Sequence, residues 1–251
     1  MLEVFLNYAA TQKKFPMVVQ LLREASHIPT HIWLTIAYLK QTPQLSSTNL
    51  NYDKYWEHRG YHSFQPRYEL IAQIIQSGAS VLDVGCGEGL LLQYLRDKLA
   101  VKGLGIDISR EAAKLAKTRG VEVIIGDILT LELAKKYDYI ILSEIVEHIA
   151  NPEQVVTKLK NQFTKGLIIS IPNIGYYQHR LRLLLGSFPV QWNIHPSEHL
   201  RYWTVTDFEN WLDQLGLIKM QTRASNGFPI LYRYLPNLFG NQVLFYVTHP
   251  T

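Results

Sequence analysis

The sequence predicts a doubly wound α/β fold, a mostly parallel sheet with helices on both faces. Three observations carry this. From about Tyr55 onward, short apolar runs alternate with segments of helical periodicity. A glycine-rich turn follows the first apolar run and precedes the first of those helices. The chain has 251 residues, 47% of them apolar, enough to bury a full core without disulfides or metal staples.

Residues 1–53 read as a helical extension. In it, Phe15–Arg23 and His31–Lys40 carry apolar residues at helical spacing, and Gln41–Asn51, rich in Ser, Thr, Asn and Gln, reads as a linker. Residues 54–251 carry the sheet. Ser80–Val84 is a buried strand and Leu90–Lys98 a helix. Lys102–Asp107 is the second strand, followed by a helix over Arg110–Thr118, and Val121–Gly126 is the third. Tyr139–Ser143 is the fourth, Pro152–Phe163 a helix, and Gly166–Ile171 the fifth. Right-handed crossovers place the C-terminal ends of these strands on one edge, where ligands bind. Residues 174–203 break the alternation and are expected to form a lid over that edge. Thr204–Leu215 is a helix with Thr204 as N-cap and Gly216 after its end, and Leu217–Thr222 and Gln242–Thr248 complete the strands.

One cysteine, Cys86, excludes an intramolecular disulfide and a Cys-rich zinc site. It suits a reducing, cytoplasmic compartment, and the N-terminus has no signal-peptide pattern. The longest apolar stretches, such as Ile32–Leu39, are too short to span a bilayer, so any membrane contact is expected to be peripheral. A net charge of +4 is not the dense basic stripe of a nucleic-acid binder, and the partner expected is a small molecule.

The chemistry begins at Val81–Gly89, where Gly85, Gly87 and Gly89 alternate between a strand and a helix. Glycines there let backbone approach a ligand closely. A dehydrogenase fingerprint places its third glycine one residue later and follows a wholly apolar strand. Here Asp83 interrupts the strand. An acid at that point repels a pyrophosphate and can hold an ammonium, which favours S-adenosylmethionine, a ligand with an α-amino group, a sulfonium and no phosphate. A glycine turn without function is the bland alternative. Asp107, ending the second strand, is placed to take both ribose hydroxyls, with Ile108 beside it, or else to cap the next helix. Asp127 and the Ile128 backbone are placed at the adenine, or Asp127 serves a turn. Cys86 and Ser143 complete the cofactor group, and Arg67 is placed to meet the cofactor carboxylate. Tyr55, Trp56 and Arg59 precede the first strand with it and can equally be packing residues and surface charge.

The fourth strand ends in Ser143-Glu144-Ile145-Val146-Glu147-His148, where a transferred methyl would sit. Three jobs fit these side chains. They can position substrate or fix the loop by hydrogen bonds, His148 can act as general base, or Glu144, Glu147 and His148 can hold a divalent cation with His199. The reading taken is His148 as base, Glu144 and His199 as acceptor-binding, and no metal. In the lid, Tyr176, Tyr177, Leu181, Leu184 and Leu185 fit one apolar face of a helix, with His179, Arg180 and Arg182 on another side. Such a helix can close over substrate, rest on a membrane surface, or only pack on the core. Tyr176 and Arg180 are assigned to acceptor binding, and Arg180, Arg182 and Arg201 imply an acidic acceptor.

The ordered segments VLDVGCGEG, GLGIDIS, GDIL and YDYIILSEIVEHIANPEQV resemble the motifs of class I S-adenosylmethionine-dependent methyltransferases over roughly residues 60–250. LIISIPNIGYYQHRLRLLLG and HLRYWTVTDFENWLDQLGL are similar to MetW-type methyltransferases linked to methionine biosynthesis, as is the closing PNLFGNQVLFYV. The resemblance implies a Rossmann-like, seven-stranded, mostly parallel sheet whose last strand is antiparallel. It also implies methyl transfer to an oxygen or nitrogen or, alternatively, a non-catalytic partner of homoserine acyltransferase. Ubiquinone-pathway O-methyltransferases share the E-x-x-E-H-x-x-x-P stretch. The small-RNA 2′-O-methyltransferases use E-x-x-E-H with a later His as a metal site, a pattern onto which Glu144, Glu147, His148 and His199 fall. Residues 1–50 lie outside these resemblances.

Overall fold

The computed structural model describes residues 16–43, 50–59, 63–191 and 195–250. Seven strands form one sheet in the order β3-β2-β1-β4-β5-β7-β6. They are β1 (Ser80–Val84), β2 (Lys102–Asp107), β3 (Glu122–Ile125), β4 (Tyr137–Ser143), β5 (Phe163–Pro172), β6 (Ile218–Gly227) and β7 (Gly240–Thr248). The pairs from β3 across to β5 are parallel, and β7 runs antiparallel to both β5 and β6. The expected Rossmann-like, mostly parallel sheet with an antiparallel last strand is therefore present.

Strands buried on both faces need apolar residues at successive positions. In β4, Ile140 and Leu142 enter one core with Leu82, Leu167, Phe208 and Phe245. The intervening Tyr139 and Ile141 enter the other with Val81, Ile71, Leu95 and Ile168. From β1 the chain winds outward through β2 to β3, then returns to β4 on the opposite side of β1. That reversal opens a crevice at the C-terminal ends of β1 and β4, where both the glycine loop and the Glu144–His148 loop leave the sheet.

Around the sheet lie α1 (Pro16–Ser26), α2 (Ile28–Leu39), α3 (Tyr52–Arg59), α4 (Pro66–Ile74), α5 (Leu90–Leu99) and α6 (Arg110–Thr118). After them come α7 (Pro152–Leu159), α8 (Tyr177–Leu184), α9 (Val205–Gln214) and the single turn α10 (Pro236–Phe239). Thr204 caps α9 as expected, its hydroxyl accepting from Asp207 N at 3.2 Å. Several boundaries moved by a few residues, and two of the shifts have a clear cause. The helix expected to run from Pro152 to Phe163 stops at Leu159, because Phe163 already pairs with Tyr137 to begin β5. The strand expected over Leu217–Thr222 continues to Gly227, because antiparallel pairing with β7 satisfies its backbone to the end.

In the extension, Phe15 and residues 44–49 of the expected linker lie outside the described residues. Helix α3 runs across position 53, where the extension was expected to end. Asp53 fastens it to α6 by accepting from Ser109 Oγ at 2.6 Å and from Arg110 N at 2.9 Å. A carboxylate at a helix N-terminus meets otherwise unpaired N–H groups and the positive end of the helix dipole.

Candidate functional site

A cavity of about 810 Å³ lies over the crevice, within the range of small-molecule sites. Its floor is the loop after β1. Gly85, Gly87 and Gly89 all adopt left-handed backbone (φ 72°, 55° and 73°), which a side chain would strain. Space forbids side chains as well: a Cβ on Gly85 would lie 2.0 Å from Ile145 Cδ1, and one on Gly87 2.7 Å from the Trp56 ring. Behind the loop the Cys86 thiol is buried, with its pKa pushed up, and packs against Gly105.

Asp83 points into this floor. It is 2% exposed, and its Oδ1 has no hydrogen-bond partner among the described residues. Burial, reinforced by the neighbouring Asp107 charge, raises its pKa to about 8 against the opposing pull of Arg67. Asp107 is buried at the end of β2. Its Oδ2 accepts from Gly87 N at 2.7 Å and its Oδ1 from Ser109 N at 2.9 Å, so it ties the glycine loop to the cap of α6. Desolvation raises its pKa also. Asp127 is exposed on the cavity rim and accepts from Leu129 N at 2.9 Å; Ile108, largely exposed, and the buried Ile128 line the same end. Arg67 donates to Ser143 Oγ at 2.9 Å and lowers the pKa values of Asp83, Glu144 and Glu147, a single guanidinium among three buried carboxyls.

The other end is built from the loop after β4. Glu144 has φ 59°, unusual for a residue with a side chain. Its Oε2 accepts from Gln242 Nε2 at 3.1 Å. Glu147 is 1% exposed, and neither carboxyl oxygen has a partner among the described residues. Burial and the adjacent Glu144 push its pKa well above the usual carboxylate range. His148 Nδ1 lies 2.5 Å from the Glu198 carbonyl. A carbonyl only accepts, so Nδ1 carries the proton, and in the neutral ring the lone pair is on Nε2, 3.8 Å from Glu147 Oε1. The His199 ring stands edge-on to His148 with centroids 4.9 Å apart, and burial holds its pKa near 3. One ligand atom each from Glu147, His148 and His199 falls within 4.8 Å of the others, a spacing that could hold a metal ion.

The lid differs from expectation. In α8 the buried residues are His179 and Arg182, whereas Leu181, Leu183, Leu184 and Leu185 are exposed. The cause is the neighbour: α8 packs on α2, whose inward side offers polar groups. Tyr38 Oη lies 2.7 Å from His179 Nδ1, and Arg182 donates to the carbonyls of Tyr38 at 2.7 Å and Phe188 at 2.9 Å. Arg180 bonds to the carbonyls of Gly175 and Asn237, and Arg201 to Glu153 and Ala150. None of these arginines lines the cavity, so the positive field expected at an acidic acceptor is spent on backbone and surface partners. Tyr176, the N-cap residue of α8, is buried and also outside the lining.

Residues not assigned to the site beforehand complete the wall. Tyr52, packed edge-on to His148, has its pKa pushed up to about 12 by burial and by Glu198, Glu147 and Asp107. Trp56 covers the glycine loop, Tyr38 reaches in from α2, and Gln242 from β7. The side chain of Arg59 lies outside the described residues. The aromatic density of the 52–56 segment signals Tyr52 and Trp56 in the sequence, and no local pattern signals Tyr38 or Gln242.

A Bifunctional methionine biosynthesis protein MetXA/MetW of Rhodopirellula baltica is 29% identical over 60% of this chain and 27% of its own length. A Ubiquinone biosynthesis O-methyltransferase of Leptothrix cholodnii is 28% identical over 72% of this chain and 85% of its own. An (S)-tetrahydroprotoberberine N-methyltransferase of Eschscholzia californica is 31% identical over 44% of this chain and 34% of its own. The chain thus spans about a third or less of two of these curated relatives. Among solved structures, a SAM-dependent methyltransferase from Aquifex aeolicus superposes with TM-score 0.56 at 18% identity, covering 79% of this chain and 98% of that one. A TehB-like SAM-dependent methyltransferase from Corynebacterium glutamicum gives 0.53 at 17%, covering 80% and 97%. The fold is that of class I methyltransferases, whose cofactor is S-adenosylmethionine. The model of the family described as Methionine biosynthesis protein MetW matches residues 65–247, nearly the whole sheet domain, and the chain belongs to that family.

Proposed function

We propose that this protein transfers the methyl group of S-adenosylmethionine to a hydroxyl or amine of a small acceptor. The observation that carries the reading is Asp83, a buried carboxyl lacking a partner for Oδ1 among the described residues, next to a three-glycine cradle. A low-dielectric pocket with three buried carboxyls and one guanidinium favours a ligand of positive charge. S-adenosylmethionine, with its ammonium and sulfonium, fits that chemistry. When bound it supplies an already activated methyl.

The residues of the chain then bind and orient. Asp83 faces the ammonium, Arg67 the carboxylate, Asp107 the ribose and Asp127 the adenine edge. Glu144 and a protonated Glu147 hold the acceptor by hydrogen bonds, His199 walls its pocket, and His148 Nε2 takes the proton released as the new bond to the methyl forms. Alignment and exclusion of water supply most of the acceleration. The acceptor class is neutral or cationic, since its pocket is bordered by Glu144, Glu147 and Glu198.

The test is release of S-adenosylhomocysteine with a panel of small alcohols, phenols and amines. Turnover that His148→Gln abolishes, with cofactor affinity retained, supports the assignment. Cofactor binding without turnover on any acceptor would favour instead a partner role of the kind embodied in the fused MetXA/MetW relative. A second reading rests on the Glu147–His148–His199 cluster, which would hold a divalent cation beside an acceptor hydroxyl. Activity that survives chelator sinks that reading, whereas loss restored by added cation establishes it.

A further inference from the structure

Helices α2 and α8 lie side by side with polar groups between them and apolar groups outside. The buried residue of α2 is Thr35, whose Oγ1 lies 2.6 Å from Tyr177 Oη, and the buried residues of α8 are His179 and Arg182. Outward stand Ile32, Trp33 and Ile36 from α2 and Leu183, Leu184 and Leu185 from α8. Trp33 is 66% exposed and Leu184 82%. Single exposed apolar residues are ordinary; a run of them on two adjacent helices, opposite a satisfied polar seam, marks a surface that meets something apolar.

Charge narrows what that is. Residues 16–43 contain one acid, Glu24, which pairs with Arg233, and residues 174–191 contain none. The same segments carry Arg23, Lys40 and Arg180 at the surface, while Arg182 is buried in the seam. Among the described residues no helix is long and apolar enough to cross a membrane. Short helices with an apolar face and only basic charge around it have the chemistry of elements that lie in a bilayer interface, with apolar side chains at the acyl boundary and cations at anionic headgroups.

We propose that the α2–α8 face docks peripherally on an anionic lipid surface. Tyr38, Gln178 and His179 from the same two helices also line the cavity, so docking sets the active-site wall against the bilayer.

The experiment is sedimentation of the full chain with vesicles of phosphatidylglycerol and phosphatidylcholine in equal parts, and with phosphatidylcholine alone. Binding is expected to the first, at least about tenfold weaker to the second, and reduced by added salt. Trp33→Asp with Leu184→Asp is expected to lower partitioning by at least about tenfold, with circular dichroism and S-adenosylhomocysteine affinity retained. Spin-labelled lipid is expected to quench tryptophan emission in the wild type and much less in Trp33→Phe. Wild-type protein that stays in solution with both vesicles would overturn the proposal, as would a double variant that binds equally well. A concentration-dependent dimer broken by Leu184→Asp, with no vesicle binding, would assign the face to self-association and overturn it too.

Discussion

Replacing Asp83 by asparagine should abolish a pH dependence of cofactor affinity rather than merely weaken binding. In the free protein the Asp83 carboxyl has a pKa of about 8, raised from 3.8 chiefly by burial. Pairing with a ligand ammonium demands the carboxylate, so binding below that pH expels a proton. At about pH 6 roughly one molecule in a hundred has Asp83 ionised, and at about pH 8 roughly half do. Affinity should therefore rise about 50-fold between them. The assay is calorimetry with S-adenosylhomocysteine, which keeps the α-amino group and cannot be turned over. The ligand's own ionisation affects both proteins, so the ratio of wild-type to Asp83→Asn affinity isolates the residue. Buffers of different ionisation enthalpy should reveal about one proton released at the lower pH in the wild type and none in the variant. A ratio constant across this range would refute the assignment of Asp83 to the ammonium. The free protein carries the same linkage with a definite sign. The folded pKa lies above the unfolded one, so the contribution is fully present below 3.8 and is lost as pH rises through about 8.

Three further outcomes follow from the geometry. Asp107→Ala removes the acceptor of the buried Gly87 and Ser109 N–H groups and should cost about 2–4 kcal/mol of stability as well as cofactor affinity; a denaturation midpoint equal to wild type would contradict this. Arg182→Ala removes the guanidinium that ties the carbonyls of Tyr38 and Phe188 together, so hydrogen exchange should accelerate in α2 and α8 while cofactor affinity changes less than about twofold; unchanged exchange would refute the seam. Gly105→Ala puts a Cβ 2.4 Å from Cys86 Sγ without backbone strain and should cost about 1–3 kcal/mol. Cys86→Ala should recover part of that loss, and strict additivity in the double-mutant cycle would contradict the contact.

What could be read in the sequence followed local physics. A short apolar-rich run bounded by turn residues marks a central strand, so Ser80–Val84 and Lys102–Asp107 were legible to the residue, and so were the glycines between strand and helix. Helix α3 was not. Tyr52–Arg59 has no apolar stripe, and what fastens it is Asp53 reaching residues about sixty positions away. The orientation of α8 failed for a related reason. Periodicity located the helix, but the rule that leucines face inward assumes an apolar neighbour, and α2 presents a tyrosine hydroxyl and carbonyls instead. At the site, Asp83 and Asp107 were legible because one interrupts β1 just before the glycines and the other ends β2, both on the ligand edge. Tyr52 and Trp56 were not, because a long-range contact carries them there.

The left-handed backbone of Glu144 has a consequence for how this loop can change over generations. Glycine would adopt φ 59° without penalty, so Glu144→Gly should relieve about 1 kcal/mol of strain and also remove a buried carboxyl whose pKa is raised. A population screened only for folded protein would therefore drift toward glycine at this position. On the acceptor-binding role proposed for Glu144, one screened for the reaction would hold glutamate there against that drift. Growing a library randomised at residue 144 under each regime would separate the two pressures at a single codon.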